Sequence, residues 1–325
     1  MKIHTEIVRF PLQKPFAITG REFRSTETVR VTLAKDGVVG RGEAVGSYYL
    51  DETPETMTQQ LEIAAEEIDG GLAESRVQTL LPPGGARNAL DCALWDYQAK
   101  AAGKRVWELL AITPRALRTV FTLGIDSVET MAQQAEAAQV FSHLKIKLNS
   151  DRPIERLEII RAARPDASLI VDVNQGWTFE ELKEYAPHCA RLGVAMIEQP
   201  LPRGKDQELE DFRSPVRLGA DESCLHLGEF SEAAQRYQVL NIKLDKCGGL
   251  SEGLALVEAA KRSAMQVMVG NMMGSSLSMA PSFIVGLLSD FVDIDGPLLL
   301  ADDIDHGLTY GKGGLVQPPA AALWG

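Results

Sequence analysis

The sequence predicts an α/β protein, a modified TIM-type (β/α) barrel with an N-terminal α+β capping domain. Short runs rich in Val, Ile and Leu alternate with polar, helix-compatible segments, and such runs are typical of strands buried on both faces. Four consecutive runs, LIVDVN, AMIEQP, VRLGADES and VLNIKLD, end in residues suited to catalysis. Barrels place their working groups at the carboxyl ends of the strands, so the pattern predicts an active site at the mouth of a barrel.

The capping domain is expected over residues 1–115, where the β/α alternation is absent. IHTEIVRFPL, ETVRVTLAKDG and VVGRGEAVG predict three strands, the last two joined by an Asp36-Gly37 turn. Two helices are predicted after them, roughly Pro54 to Gly70 and Gly85 to Gly103, the second with apolar residues at helical spacing.

Two loops of the capping domain could cover the mouth of the barrel. They are predicted at Phe16 to Arg24 and at Gly46 to Thr53, and they carry arginine and tyrosine side chains. Such side chains in loops are more often surface residues than ligands, so the loops alone indicate no function.

The barrel is expected over residues 116–302. Apolar helical segments separate most of its strands, and the connection around Gly204 to Arg213 is the weakest. The tail, residues 303–325, contains GKGG and a proline pair and is predicted to return to the capping domain. The eight candidate strands are TVFTLG, LKIKL, LIVDVN, AMIEQP, VRLGADES, VLNIKL, QVMVGN and FVDIDGP.

The composition excludes several classes of protein. With 325 residues, 45% hydrophobic and 24% charged, the chain can bury a large core and divide into two domains. The start resembles no signal peptide and no apolar run is long enough to span a bilayer, so we expect a cytoplasmic protein without membrane contact. A net charge of −12 argues against nucleic acid and favours a small-molecule substrate. A homo-oligomer is compatible with the sequence.

Other motifs indicate no further cofactor. The four cysteines show neither CxxC nor zinc-like spacing, so we expect them to be reduced and packed. The glycine-containing stretches GGARNAL and GKGGL match neither the Walker nor the Rossmann pattern, so no nucleotide is predicted.

Three carboxylates at consecutive strand ends predict a metal site. Asp172, Glu198 and Asp221 are 26 and 23 residues apart, about one strand-helix repeat each, and Lys243 follows 22 residues later. Oxygen ligands of this kind suit a hard divalent cation, most plausibly Mg²⁺. A single acidic residue at such a position is usually a helix cap or loop carboxylate, but three in register favour a shared ion.

Two lysines on the second predicted strand are expected in the barrel mouth. Lys145 and Lys147 share one face because residues i and i+2 of a strand point the same way, while Ile146 packs outward. Their mutual repulsion and a nearby metal ion would lower the pKa of a lysine from about 10.4 toward that of a general base. The alternative is a solvated edge strand.

The lysines of strands two and six predict the class of reaction. Lys147 and Lys243 lie nearly opposite each other in an eight-strand ring, so a substrate carbon between them meets one amine on each face. A cation that neutralises a substrate carboxylate stabilises the enediolate formed when the α-proton is removed. One lysine can take the proton and the other return it, which is racemisation or epimerisation.

Together these motifs resemble those of the enolase superfamily, muconate-lactonizing-enzyme subgroup. The resemblance rests on KIK, DVNQGW, IEQP, ADES, NIKLDKCGG and ARNALDCALWD, which span nearly the whole chain. It implies a capped barrel with one Mg²⁺ per subunit. The implied roles are Mg²⁺ ligation by Asp172, Glu198 and Asp221, acid/base catalysis by Lys147 and Lys243, and support from Lys145, Asn174 and Gln199.

The eighth strand is expected to select the substrate. Asp293 and Asp295 form an i, i+2 pair that suits an ammonium group, and the DxD pattern resembles that of the dipeptide epimerases, which bind the free α-amino group there. Capping of a loop is the alternative. The loop GNMMGSS is less acidic than expected for a muconate cycloisomerase.

The same resemblance assigns further substrate contacts. Arg24 is expected to hold a side-chain carboxylate bidentately, although Arg21 lies close enough to compete for that role. Thr122 on the first strand, and Ser275 and Ser276 after the seventh, are candidates for contacts with the dipeptide backbone.

The resemblance thus implies a dipeptide epimerase that inverts the α-carbon of the C-terminal residue. The best single substrate is L-Ala-D/L-Glu, in murein peptide recycling. Alternatives are an o-succinylbenzoate synthase or a muconate cycloisomerase-type lyase, neither with a substrate ammonium for the acid pair, and a binding protein that has lost turnover.

Overall fold

The N-terminal residues form an antiparallel sheet of three strands in the computed structural model, which describes residues 1–69 and 76–325. The strands are β1 (Lys2–Ile18), β2 (Arg21–Lys35) and β3 (Val38–Val45). The predicted turn between β2 and β3 is present: Asp36 and Gly37 have φ values of 52° and 78°. An Asp-Gly pair suits a tight hairpin, since both residues tolerate the left-handed region.

The segment 16–24, predicted as a loop, is mostly strand. After an irregularity between Pro11 and Phe16, pairing of β1 with β2 resumes and continues to Ile18↔Arg21. Only two residues remain for the turn, and Gly20 takes a φ of 73° that favours glycine. The hairpin tip is therefore held by backbone pairing, and the loop prediction was wrong there.

Helices cover one face of this sheet. The predicted helix from Pro54 extends at least to Asp69, and its expected last residue, Gly70, lies outside the described residues. Gly40 and Gly42 of β3 lie against the backbone of the third helix so closely that a Cβ would collide with it. The elements here are α1 (Pro54–Asp69), α2 (Val77–Leu80), α3 (Gly85–Ala101), α4 (Val106–Leu109) and β4 (Leu117–Arg118).

Eight parallel strands follow in chain order and confirm the predicted barrel. The first and last are joined by a hydrogen bond from Val120 N to Val292 O at 2.9 Å. The strands are β5 (Phe121–Leu123), β6 (His143–Lys147), β7 (Ser168–Asp172), β8 (Val194–Glu198), β9 (Arg217–Ala220), β10 (Val239–Ile242), β11 (Gln266–Val269) and β12 (Phe291–Val292).

Helices connect the barrel strands and bury their outer faces. The connection between β8 and β9 contains only a 3₁₀ turn, Gln207–Glu210, as its weak pattern indicated. Ile146 is fully buried in the core between strands and helices, as predicted. The helices are α5 (Val128–Ala137), α6 (Pro153–Ala163), α7 (Phe179–Arg191), α8 (Phe230–Arg236), α9 (Leu244–Cys247), α10 (Leu250–Arg262) and α11 (Ser276–Gly286).

The C-terminal tail contacts the capping domain. Its strands β13 (Tyr310–Gly311) and β14 (Leu315–Val316) pair with each other and, through β14, with β4. Trp324 Nε1 donates to Cys92 O at 3.0 Å, and Gly325 N donates to Asp96 Oδ1 at 2.6 Å, both on α3.

A buried carboxylate also joins the two parts of the chain. Asp245 Oδ1, on α9, accepts hydrogen bonds from Val45 N at 2.8 Å and Asn88 Nδ2 at 3.1 Å. These bonds hold the end of β3 and the start of α3 over the barrel mouth. No helix among the described residues is both long and apolar enough to cross a bilayer.

Candidate active site

A cavity of about 230 Å³ lies where the capping domain meets the carboxyl ends of the barrel strands. The capping hairpin and the 46–53 segment supply its aromatic and aliphatic wall, which includes Phe16, Phe23, Tyr48 and Tyr49. The barrel supplies charged groups. These are Lys145, Lys147, Glu222, Lys243, Asp293 and Asp295.

Lys147 and Lys243 approach this cavity from strand two and from the end of strand six. Lys147 Nζ donates to Asp172 Oδ2 at 2.6 Å and to Asn174 Oδ1 at 3.0 Å. Lys243 Nζ donates to Asp221 Oδ2 at 2.6 Å. Both lysines are buried, and each contacts a different strand-end carboxylate.

The register of the sheet brings the predicted metal ligands together. Lys147 is level with Asp172, Asp172 with Glu198, and Glu198 with Gly219, two residues before Asp221. All three carboxylates are fully buried. The parallel register therefore turns the spacing seen in the sequence into one cluster of acidic groups.

Lys145 lies at the centre of this cluster. Its Nζ is 3.0 Å from Asp172 Oδ2, 2.9 Å from Glu198 Oε2 and 2.9 Å from Asp293 Oδ2. Burial opposes its charge, but these carboxylates outweigh burial and raise the pKa of Lys145. The expected lowering by like-charge repulsion was wrong for this lysine, because it has three acidic partners.

The pKa values of the three proposed ligands are shifted in different directions. Burial opposes ionisation of Asp172, but Lys145 and Lys147 outweigh it and hold the pKa of Asp172 below its usual range. The pKa of Asp221 is lowered in the same way, by Lys243 against burial. Burial and the charge of Asp172 raise the pKa of Glu198 to about 7. Glu198 is thus the member of the trio most in need of added positive charge.

The donor set fits a hard divalent cation. Glu198 Oε2 is buried and, despite its closeness to Lys145, accepts no hydrogen bond of good geometry. Within residues 1–69 and 76–325, no three acidic, His or Cys side chains converge closely enough to form a ready-made metal cage. Lys145 pairs with both Asp172 and Glu198. Buried carboxylate oxygens on three adjacent strand ends are the ligand type that Mg²⁺ prefers.

The acid pair of the eighth strand lies at the same cavity. Asp293 Oδ1 accepts a hydrogen bond from Asn271 Nδ2 at 2.9 Å, and Asp295 Oδ2 accepts one from Thr122 N at 2.7 Å. Lys145 outweighs burial and lowers the pKa of Asp293. Burial and the neighbouring Asp293 raise the pKa of Asp295 to about 8. Thr122 therefore contributes its backbone amide to the site, and its side chain also lines the cavity.

The predicted serines lie elsewhere. Ser275 is fully buried, its Oγ accepts Leu277 N at the start of α11, and its own N–H binds Glu43 of the capping sheet. Ser276 is likewise engaged with Asp303. Neither serine lines the cavity, and both hold the 274–276 turn in place.

The two candidate arginines occupy different positions. The Arg24 side chain is 76% exposed and pairs with Glu22 at 2.9 Å, outside the cavity wall. The Arg21 guanidinium stacks 4.4 Å from the centre of the Tyr48 ring, which lines the cavity. Both lie on the hairpin above the cavity, and among the described residues neither forms a hydrogen bond or ion pair with the barrel.

Sequence reasoning missed several residues of the site. Lys246 Nζ donates to Asp221 Oδ1 at 2.6 Å, and its place one turn after Lys243 was the available signal. Asn271 ends the predicted seventh strand, yet its bond to Asp293 depends on strand packing. Gln199, by contrast, was predicted beside the ligands. Its Oε1 accepts hydrogen bonds from Asp221 N and Ser223 N, both at 3.0 Å.

Two family models match the chain. One, described as the N-terminal domain of mandelate racemase/muconate lactonizing enzyme, covers residues 2–111. The other, described as the enolase C-terminal domain-like family, covers residues 128–321. This chain belongs to the enolase superfamily. The resemblance found in its motifs is thereby confirmed over both parts of the chain.

Two enolase-superfamily relatives cover nearly the whole chain. An N-acetyl-D-glutamate racemase from Pseudoalteromonas sp is 38% identical over 91% of this chain and 94% of its own length. An L-Ala-D/L-Glu epimerase from Escherichia coli (strain K12) is 37% identical over 94% of this chain and 96% of its own.

Solved structures of this superfamily share the fold. An Agrobacterium tumefaciens member with homology to dipeptide epimerases, solved with sodium and L-Ala-L-Glu, has a TM-score of 0.96 and 38% identity over 99% of both chains. A dipeptide epimerase from Methylococcus capsulatus, complexed with Mg and L-Arg-D-Lys, has a TM-score of 0.90 and 28% identity, again over 99% of both chains.

Proposed function

We propose that this chain is a dipeptide epimerase that inverts the α-carbon of the C-terminal residue, with L-Ala-D/L-Glu as its best substrate. The observation that carries the proposal is the placement of Lys147 and Lys243. They enter one cavity from strands two and six, and each is hydrogen-bonded to a different buried carboxylate. Relatives at 37–38% identity that act on dipeptides or N-acyl glutamate support the same chemistry.

The metal site is assigned to Asp172, Glu198 and Asp221. Mg²⁺ held there would neutralise the substrate carboxylate and so make the adjacent C–H more acidic. A solved relative complexed with Mg supports this choice of ion. Without the ion, Lys145, Lys147 and Lys243 supply the positive charge that keeps Asp172 and Asp221 ionised.

The two lysines act as acid and base on opposite faces of the α-carbon. One amine removes the proton from its face, and the opposite ammonium delivers a proton to the other face, which inverts the centre. Asn174 Oδ1, 3.0 Å from Lys147 Nζ, orients that amine. Lys246 and Lys243 hold Asp221 from two sides and fix its position.

Two further groups select the substrate. Asp293 and Asp295 bind the N-terminal ammonium of the dipeptide, since two carboxylates at one end of a cavity suit that cation. Arg24 binds the side-chain carboxylate of the C-terminal glutamate. Thr122 is assigned to the dipeptide backbone, and Ser275 acts indirectly by fixing the loop after strand seven.

The biological setting follows from the substrate. L-Ala-D/L-Glu is a murein dipeptide, so we infer a role in murein peptide recycling, in the cytoplasm. The E. coli relative, an L-Ala-D/L-Glu epimerase, supports this inference.

The decisive experiment is α-proton exchange in D₂O, followed by NMR with Mg²⁺ and a panel of dipeptides. We expect exchange confined to the C-terminal residue, fastest for L-Ala-L-Glu and L-Ala-D-Glu, and lost in the double variant that carries both Lys147→Ala and Lys243→Ala. Silence across the panel would overturn the proposal. Formation of o-succinylbenzoate or a lactone from the corresponding precursor would then identify a lyase on the same site.

N-acetyl-glutamate is a second candidate substrate, favoured by the bonding of the acid pair. Asp293 already accepts from Lys145 and Asn271, and Asp295 from Thr122 N, so the fold supplies donors to both carboxylates without an ammonium. N-acetyl-glutamate and L-Ala-Glu share the glutamyl amide. They differ only in the group on the amide carbonyl, which is methyl in the first and 1-aminoethyl in the second. Including N-acetyl-D-glutamate in the exchange panel decides between the two by their relative kcat/KM.

A further inference from the structure

Glu222 is a buried carboxylate whose side chain has no hydrogen-bond partner among the described residues. It lines the cavity that also contains Lys243 and Asn174, and it is 2% exposed. Among the described residues, no group gives its Oε2 a hydrogen bond, and its side chain forms no ion pair. An unpaired buried carboxylate is unfavourable, because the hydrogen bonds it made to water are not replaced.

Neighbouring acidic side chains do accept hydrogen bonds. Asp221 accepts hydrogen bonds from both Lys243 and Lys246. Glu52, which lines the same cavity, accepts Ser47 N at 2.9 Å and Gly85 N at 2.9 Å. Four buried lysines thus surround the strand ends, yet none pairs with Glu222. The Glu222 carboxylate is therefore free to accept a hydrogen bond from a group that enters the cavity.

The position of Glu222 identifies that group. It directly follows Asp221, a proposed ligand, so it stands at the edge of the metal site. The lysines that pair with Asp172, Glu198 and Asp221 form no ion pair with Glu222. Glu222 therefore lies outside the charge cluster formed by the three proposed ligands. Mg²⁺ usually keeps several water molecules in its octahedral shell, and those waters donate hydrogen bonds.

We propose that Glu222 is an outer partner of Mg²⁺: its carboxylate accepts a hydrogen bond from water of the ion's shell and thereby strengthens binding of the ion. The proposal rests on the magnesium site of the proposed function. The substrate ammonium is assigned to the eighth strand, three strands away in the ring, so it does not satisfy Glu222.

The test measures Mg²⁺ affinity by isothermal titration calorimetry on the substrate-free protein. For Glu222→Gln we expect a dissociation constant about 10-fold higher or more, as for other outer partners of metal sites. Glu222→Asp, which keeps the charge, should recover part of the affinity. Glu27→Gln removes an exposed carboxylate from the cavity wall and should leave the affinity within about twofold of wild type, since Glu27 is not beside the ligands.

A second readout separates this role from a structural one. The thermal midpoint of the Mg²⁺-free protein should not fall in Glu222→Gln, because among the described residues the side chain has no hydrogen-bond or ion-pair partner to lose, while the rise on adding Mg²⁺ should shrink. At Mg²⁺ concentrations that saturate the variant, kcat should return toward wild type.

An unchanged Mg²⁺ affinity in Glu222→Gln would overturn the proposal. If KM for the dipeptide then rose, Glu222 would be a substrate contact instead. Because the titration uses no substrate, failure of the epimerase assay leaves its outcome intact.

Discussion

Lys145 Nζ donates a hydrogen bond to Asp293 Oδ2 at 2.9 Å and so ties the second barrel strand to the acid pair of the eighth. The same ammonium is 2.9 Å from Glu198 Oε2, in the proposed metal site. The metal-binding and ammonium-binding groups are therefore parts of one charge network. Within it, Asp293 is already neutralised, whereas Asp295 Oδ1 has only a long contact of 3.5 Å with Asn271.

Asp295 is accordingly the carboxylate expected to discriminate between substrates. In Asp295→Asn the side-chain oxygen can still accept Thr122 N, so the fold is retained, while the residue can no longer ionise to pair with the substrate ammonium. Charge-assisted hydrogen bonds contribute about 1.5–3 kcal/mol, so KM for L-Ala-L-Glu should rise roughly 10-fold or more. The kcat/KM for N-acetyl-glutamate, which has no ammonium, should change little.

Steady-state kinetics on both substrates measure this difference, with Asp302→Asn as a control that alters an exposed carboxylate. Equal losses on the two substrates would show that Asp295 acts on the common glutamyl half or on the fold.

Single-lysine variants should separate the two faces of the α-carbon. Each lysine is hydrogen-bonded to its own carboxylate, Lys147 to Asp172 and Lys243 to Asp221, both at 2.6 Å. Removing one amine should reduce epimerisation by about 10²–10⁴-fold. The remaining amine should still exchange the α-proton of the epimer that faces it.

We therefore expect Lys147→Ala to exchange one of L-Ala-L-Glu and L-Ala-D-Glu in D₂O, and Lys243→Ala to exchange only the other. Lys183→Ala, an exposed lysine on α7, is the control. Exchange of both epimers by either variant would contradict a two-base arrangement.

The periodic part of this structure was predictable from the sequence. Strands buried on both faces repeat at a fixed interval, and a parallel register converts that interval into the alignment of Lys147, Asp172 and Glu198. Contacts that depend on how strands curl were not predictable. Asn271 meets Asp293 only because β11 and β12 are adjacent, and no local pattern marks the burial of Glu222.

The capping domain shows the same limit. The Asp36-Gly37 turn was predictable because its chemistry is local. The 16–24 segment was misassigned because the pairing of its strands, Phe16 with Phe23, resumes after the irregularity between Pro11 and Phe16. The placement of Arg21 and Arg24 on that hairpin follows from this pairing, so their roles could not be separated from the sequence.

Arg24 is predicted to bind the side-chain carboxylate of the substrate glutamate. Its exposed ion pair with Glu22 contributes only about 0–1 kcal/mol, so the guanidinium can leave it to bind a carboxylate. Arg21 would have to give up its stacking on Tyr48. In Arg24→Leu, KM for L-Ala-L-Glu should rise about 10-fold, while L-Ala-L-Leu should be unaffected or improved.

The matched variant is Arg21→Leu, compared on the same two dipeptides. A Glu-specific loss in Arg21→Leu and none in Arg24→Leu would assign the side-chain contact to Arg21. Losses on both dipeptides would instead point to a damaged hairpin.

The link between capping domain and barrel should weaken as pH rises, because of Asp245. Burial raises the pKa of Asp245 to about 7, against a partial offset from its bonds to Val45 N and Asn88. In the unfolded chain an aspartate ionises near pH 4, about its reference value. Between roughly pH 4 and 7 the folded state thus holds one proton more than the unfolded state, so this residue's contribution to stability falls as pH rises through that window.

Asp245→Asn should abolish that dependence, since its side-chain oxygen can accept both hydrogen bonds without a charge. At pH 4 the two proteins should have similar thermal midpoints. At pH 8 the variant should be the more stable, by up to a few kcal/mol on the order set by the shift. Calorimetric scans at the two pH values measure the difference, with Asp36→Asn in the exposed turn as control. A variant less stable at pH 8 would mean that the ionised carboxylate itself holds the domains together.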